Sequence, residues 1–169
     1  MKLRNVGKML IMALLLFLLN GISAFAFLEE ESNDTMASAT PISVNQRGSG
    51  NISTGEDVDY YRFTLSKQGS IQVLFNRDYV QSTSNGWNLE IQNSQGIALV
   101  GLEYRRGNTS EYKSMNIGLS AGTYYVKVTQ DWNWTDVSYY FSIQYTASDD
   151  WETEFNDTFQ SADTIKTNI

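Results

Sequence analysis

Hydrophobic and polar positions alternate with a period of two through most of the chain, the pattern of strands that bury one face and wet the other. Residues 59–65 place Tyr61, Phe63 and Leu65 on one side, 70–75 place Ile71, Val73 and Phe75, and 138–145 place Tyr139, Phe141, Ile143 and Tyr145. Shorter stretches of the same kind fall at 88–92, 97–104, 112–119 and 123–130. Between them, segments rich in Gly, Asn and Ser at 67–69, 84–86, 93–96, 106–108 and 120–122 read as turns. Seven or eight short strands at this spacing predict an all-β fold, an antiparallel β-sandwich of jelly-roll type. The one helical signal is brief: Asn33, Asp34 and Thr35 could cap a turn or two through Ala39, which Pro41 would end.

The first 26 residues break the pattern. Lys2, Arg4 and Lys8 precede an apolar run of 11 residues, 9–19, and Ala24-Phe25-Ala26 follows it. The run is too short for a bilayer core, which takes about 20 residues, and the small-x-small triplet is a cleavage pattern. Residues 1–26 are therefore expected to be a secretory signal peptide of Gram-positive type, cut after Ala26. The mature chain would then be extracellular, with no membrane segment.

Charge and composition narrow the chemistry. The 169 residues include 12 basic and 19 acidic ones, and neither histidine nor cysteine. Removal of the three basic residues of the signal leaves nine against 19, a formal charge of −10. Nucleic acid, which needs a basic face, is not an expected partner. Without His or Cys there is no Ser-His-Asp or Cys-His catalysis, no HExxH helix, no thiolate zinc site and no disulfide. No P-loop is present either. The chain is expected to be no enzyme and to use oxygen ligands.

Sliding the sequence on itself by 123 positions shows an internal repeat. Residues 29–42 lie over 152–165 with eight of fourteen positions identical, sharing the skeleton E-x-E-x-N-D-T followed by Ser, Ala and Ile. The expected organisation is thus a signal at 1–26, a sandwich at 27–150 and the start of a second, truncated repeat at 151–169. In an extended segment residues two apart share a side, so Glu29, Glu31 and Asn33 form a row of oxygen donors, joined by Asp34 where the chain turns. This is half of a hard-cation site of the kind calcium prefers. The rest is expected from 56–60, Glu56-Asp57-Val58-Asp59-Tyr60. The plain alternative is a solvated acidic arm. Recurrence of the spaced donors after 123 residues, while Glu30 is replaced by Thr153, favours coordination.

The pattern E-x-E-x-N-D-T, then Gly50-Asn51-Ile52, then 57–63 (Asp-Val-Asp-Tyr-Tyr-Arg-Phe), then 119–128 (Leu-Ser-Ala-Gly-Thr-Tyr-Tyr-Val-Lys-Val) with Tyr139-Tyr140-Phe141 resembles the bacterial pre-peptidase C-terminal domain. The collagen-binding domains of clostridial collagenases are its relatives. The resemblance covers about 29–146, with a second start at 152–168. It implies a β-sandwich of about a hundred residues, appended to secreted hydrolases, often in tandem and often calcium-binding through its N-terminal arm. It implies Ca2+ ligands at Glu29, Glu31, Asn33 and Asp34, at Glu56 or Asp57, at Asp59, and at the Tyr60 carbonyl. A secreted peptidase or further repeats would be its neighbours.

Collagen binding carries over poorly, because the alternate positions of the relatives' binding strand fall here on Lys127, Thr129 and Asp131. Trp132 and Trp134 in one apparent loop, and Trp87 and Tyr79 in another, could form a stacking surface for an extracellular protein or polysaccharide, or could cap the ends of the sandwich. Two functions follow as expectations: a secreted calcium-binding accessory or adhesion module, or a calcium-stabilised structural spacer without a ligand of its own.

Overall fold

The computed structural model describes residues 27–78, 86–105, 110–131 and 137–164. The expected signal peptide lies outside them. In chain order the strands are β1 (Phe27–Leu28), β2 (Thr40–Pro41), β3 (Arg47–Gly50), β4 (Val58–Leu65), β5 (Gly69–Arg77), β6 (Trp87–Gln92), β7 (Ala98–Tyr104), β8 (Tyr112–Lys113), β9 (Ile117–Leu119), β10 (Gly122–Gln130) and β11 (Tyr139–Ala147). They form two sheets. One runs β1-β3-β11-β5-β8, with β9 also on β5, and the other runs β2-β4-β10-β6-β7.

The long alternating segments make the antiparallel centre of each sheet. Strand β11 lies along the whole of β5, from Tyr139 opposite Arg77 to Ala147 opposite Gly69. Strand β10 lies between β4 and β6. Two short parallel pairs bring the N-terminal arm onto the sandwich, β1 on β3 and β2 on β4. The inward faces meet in one apolar core that includes Tyr61, Phe63 and Leu65 of β4, Ile71, Val73 and Phe75 of β5, Val126 and Val128 of β10, and Tyr139, Phe141 and Ile143 of β11. Aromatic rings fill its centre: Phe75 stacks on Tyr139 at 5.6 Å, and Tyr61 meets Phe141 edge-on at 4.8 Å.

Three features differ from the sequence pattern. The expected strand at 112–119 is two short strands, because the Ser114 hydroxyl takes a ladder position: it accepts the Val73 amide at 2.9 Å while the Ser114 amide donates to the Val73 carbonyl at 2.9 Å. The helical signal at 33–39 yields a turn, and no helix occurs among the described residues. There the Thr35 and Ser38 hydroxyls bond each other at 2.8 Å, a local side-chain arrangement that competes with helix propagation. Trp87, expected in a loop, opens β6 and is only 2% exposed. It packs against Phe75 and Tyr104 beneath the Arg77 guanidinium, and so offers no face to a ligand. Tyr79, Trp132 and Trp134 lie outside the described residues.

Candidate metal centre

The arm is held where β3 and β4 begin and end. The Glu29 amide donates to the Ser49 carbonyl at 3.2 Å, and the Tyr60 amide donates to the Asn33 carbonyl at 3.0 Å. These two backbone bonds lay the row of Glu29, Glu31 and Asn33 across the N-terminal end of β4. That strand's inward alternation sends Asp59 to the same place as the core aromatics, and Asp59 is fully buried.

Carboxylates converge there in two overlapping groups. Oxygens of Glu29, Glu31 and Asp59 lie within 4.8 Å of one another, as do those of Glu31, Asp34 and Asp57. Glu31 belongs to both. Asp57, 7% exposed, is oriented by the Ser53 amide, which donates to it at 2.5 Å. Glu56 is exposed and lines the shallow depression formed with Ser53, Thr54, Glu31 and Asp34 without joining either group, so of the two neighbours it is Asp57 that enters the cluster. Tyr60 enters through its amide, which fixes the arm.

Asn33 sits among these acids with no exposure. Its Nδ2 donates to Glu29 Oε1 at 3.2 Å and to Thr40 Oγ1 at 3.4 Å, which leaves Oδ1 as a buried acceptor with no hydrogen-bond donor among the described residues. Asp59 Oδ1 is in the same state. Buried acceptors without a donor are costly unless something else supplies positive charge.

Behind the cluster stands a support that the alternation pattern had assigned wholly to the core. Tyr61 Oη donates to Glu29 Oε1 at 2.9 Å, the Asn51 amide donates to Glu29 Oε2 at 2.7 Å, and Tyr139 Oη donates to Asp59 Oδ2 at 2.5 Å. The two phenolic oxygens are themselves 2.5 Å apart. Tyr61–Glu29, Tyr61–Tyr139 and Tyr139–Asp59 are three contacts sharing two phenolic protons, so the row is complete only when a carboxyl brings a third. Gly50 permits this crowding: a Cβ there would meet Tyr61 Oη at 2.1 Å and Tyr139 Oη at 2.4 Å.

The electrostatics agree with that proton count. Burial, and then the Glu29 carboxyl beside it, push the Asp59 carboxyl up to about 10. Burial and the neighbouring Glu29 and Asp57 raise Glu31 as well, and burial raises the Tyr61 and Tyr139 hydroxyls. A carboxyl whose folded pKa exceeds its unfolded value of about 3.9 contributes stability that is complete below that value and is lost as pH rises towards the folded pKa. In chelator, the melting temperature is therefore expected to fall between about pH 4 and pH 10 as Asp59 is forced to ionise. Saturating calcium is expected to flatten that fall. Parallel pH profiles of thermal melts, with calcium and with chelator, check it; superimposable profiles would refute it.

The second copy of the motif folds alike locally. Asn156 Nδ2 donates to Glu152 Oε2 at 3.1 Å, as Asn33 does to Glu29, and the Thr158 and Ser161 hydroxyls meet at 2.8 Å, as those of Thr35 and Ser38 do. Asp163 takes the place of Thr40 and accepts the Thr153 amide at 2.5 Å. Among the described residues no strand equivalent to β4 faces these acids, and they remain outside the two converging groups.

No protein-family model matches the chain, and no curated protein does. Among solved structures it is similar to the pre-peptidase C-terminal domain of the collagenase of Bacillus anthracis, with 21% identity and a TM-score of 0.48 over 63% of this chain and 94% of that one. It is also similar to part of a β-glucosidase of Paenibacillus barengoltzii, with 12% identity and a TM-score of 0.35 over 68% of this chain and 12% of that one. A Cry1Da tryptic core variant of Bacillus thuringiensis shares 10% identity and a TM-score of 0.34 over 66% of this chain and 25% of the other.

Proposed function

We propose that the chain is a secreted, non-catalytic accessory module of the kind attached to extracellular peptidases, and that its N-terminal arm is fastened to the sandwich by calcium. The observation that carries the metal reading is the pair of buried, donorless oxygens, Asn33 Oδ1 and Asp59 Oδ1, among the convergent carboxylates of Glu29, Glu31, Asp34 and Asp57. The donor set is carboxylate and amide oxygen only, which suits a hard divalent cation and offers nothing to a soft one. A bound cation would neutralise the cluster and satisfy both oxygens, and Glu31, common to both groups, is placed to bridge two ions. Isothermal titration with calcium measures affinity and stoichiometry. Binding is expected in the range of extracellular calcium modules, about 10⁻⁴ to 10⁻³ M or tighter; the absence of any heat or stabilisation at millimolar calcium overturns the proposal.

The non-catalytic reading rests on residue chemistry. Histidine and cysteine are absent, and the best-organised acids are consumed by the cluster. The one S-x-x-K spacing, Ser110 to Lys113, runs into the extended β8, where residues three apart face opposite sides instead of sharing a helix face. The burial of Trp87 favours the spacer form of the proposal over the adhesive form, since one of its four aromatic candidates is core. Pull-down on collagen, cell wall and polysaccharides, with wild type and with Trp132→Ala/Trp134→Ala, separates them. Retention lost in the double variant supports adhesion, and no retention of the wild type supports the spacer.

A further inference from the structure

The segment that leads into the second arm runs from the end of β11, where it still follows the β5 ladder, to the outer edge of the six-stranded sheet at β9. The Ser148 amide donates to the Gln68 carbonyl at 3.1 Å, Gln68 Nε2 donates to the Trp151 carbonyl at 2.8 Å, and the Glu154 amide donates to the Gly118 carbonyl at 3.1 Å. The last of these continues the edge beyond β9 in the manner of an added strand. Contact is closest at Gly118, where a Cβ would stand 1.6 Å from the Glu152 carbonyl oxygen and 3.1 Å from Trp151 Cβ. Gly118 is part of β9 and opposite Ser70, so its own strand has no need of glycine. The approach of Glu152 does.

We propose that residues 148–154 form a docked joint, with Gly118 as the seat and Gln68 as the latch, which presents the second E-x-E-x-N-D arm in one fixed orientation to the sandwich. The joint uses no acidic side chain as an anchor: two of its three bonds are backbone to backbone and the third runs from an amide side chain to a carbonyl. It is therefore independent of calcium. Its natural partner is a second sandwich edge of the β4 type, reached from a set direction instead of from a flexible tether.

Hydrogen exchange of the full secreted chain in chelator tests this. The Glu154 amide in wild type is expected to exchange at least roughly tenfold more slowly than an exposed amide. In Gly118→Ala the peptide covering 148–154 is expected to lose that protection while peptides from β5 and β11 keep theirs. If Gly118→Ala also loosens β5 and β11, Gln68→Ala decides: faster exchange across 151–154 with the sandwich intact supports the latch. An unprotected 148–154 in wild type, or unchanged protection in both variants with an intact sandwich, overturns the proposal.

Discussion

Asp59→Asn is expected to reverse the order of stability with and without calcium. In chelator near pH 8 the variant should melt at or above wild type, and in calcium well below it. The reason lies in the burial of Asp59 beside Glu29: without a cation, one of the two carboxyls must hold a proton against the solution pH or ionise in a buried site. An amide can turn its N–H to the Tyr139 oxygen and so supply the third proton of the row from a group that does not titrate, which removes the charge conflict and leaves the hydrogen-bond row complete. Replacing a buried charge with a neutral hydrogen-bonded group is neutral or stabilising when the charge has no counter-ion. On the proposed binding, calcium reverses the balance. Ligand at a hundredfold its Kd stabilises wild type by about 2.7 kcal/mol, which for a domain of this size is a rise of about 10 °C in melting temperature. The variant, lacking a central carboxylate, should show little of that rise. Equal calcium-induced shifts in the two proteins would sink the metal assignment.

Trp87→Ala is expected to cost about 3–5 kcal/mol, the usual penalty for removing a large aromatic from a core. Trp87 lies 6.2 Å from the Phe75 ring and 6.3 Å from that of Tyr104, with Arg77 Cζ 5.8 Å from its own ring centroid. Truncation would open a cavity between the sheets and strip the buried guanidinium of its aromatic cover. Set against a total stability of about 5–15 kcal/mol, this takes a large share. A urea melt measures it. Calcium stoichiometry should be unchanged in the variant that remains folded, because Trp87 opens β6 while the carboxylates gather at the arm and at β4. Wild-type stability in Trp87→Ala would show that the indole is no part of the core.

What could be read from the sequence depended on whether a segment's pattern reported its surroundings. Strands β4, β5 and β11 alternate cleanly because each has one face in the core, and their extents follow from Tyr61, Val73 and Phe141 and their neighbours. Strands β1, β2 and β3 carry no such signal: two have two residues each, and β3 is Arg-Gly-Ser-Gly, whose strand state comes from its neighbours β1 and β11. Trp87 was misplaced because Ser84, Asn85 and Gly86 read as a turn and carried the adjacent residue with them. At the cluster, the convergence of the arm's acidic side chains was legible from their spacing and recurrence, and Asp57 could be separated from Glu56 only by burial. The supporting hydroxyls of Tyr61 and Tyr139 were hidden by their own pattern, since a tyrosine on an apolar face looks like core and here is core as well. The close approach of the two hydroxyls over Gly50 is a tertiary fact with no local trace.

The row Glu29–Tyr61–Tyr139–Asp59 joins residues 32, 78 and 80 positions apart in the chain. Such pairings close large loops and span both sheets, so they are expected to form late in assembly. Interactions absent from the folding transition state act on the rate of escape from the native state and leave the rate of entry almost untouched. Calcium should therefore leave the refolding limb of a chevron plot in place and lower the unfolding limb. For a secreted module, as proposed above, which would meet proteases instead of chaperones, that lengthened native lifetime is the form of stability that counts.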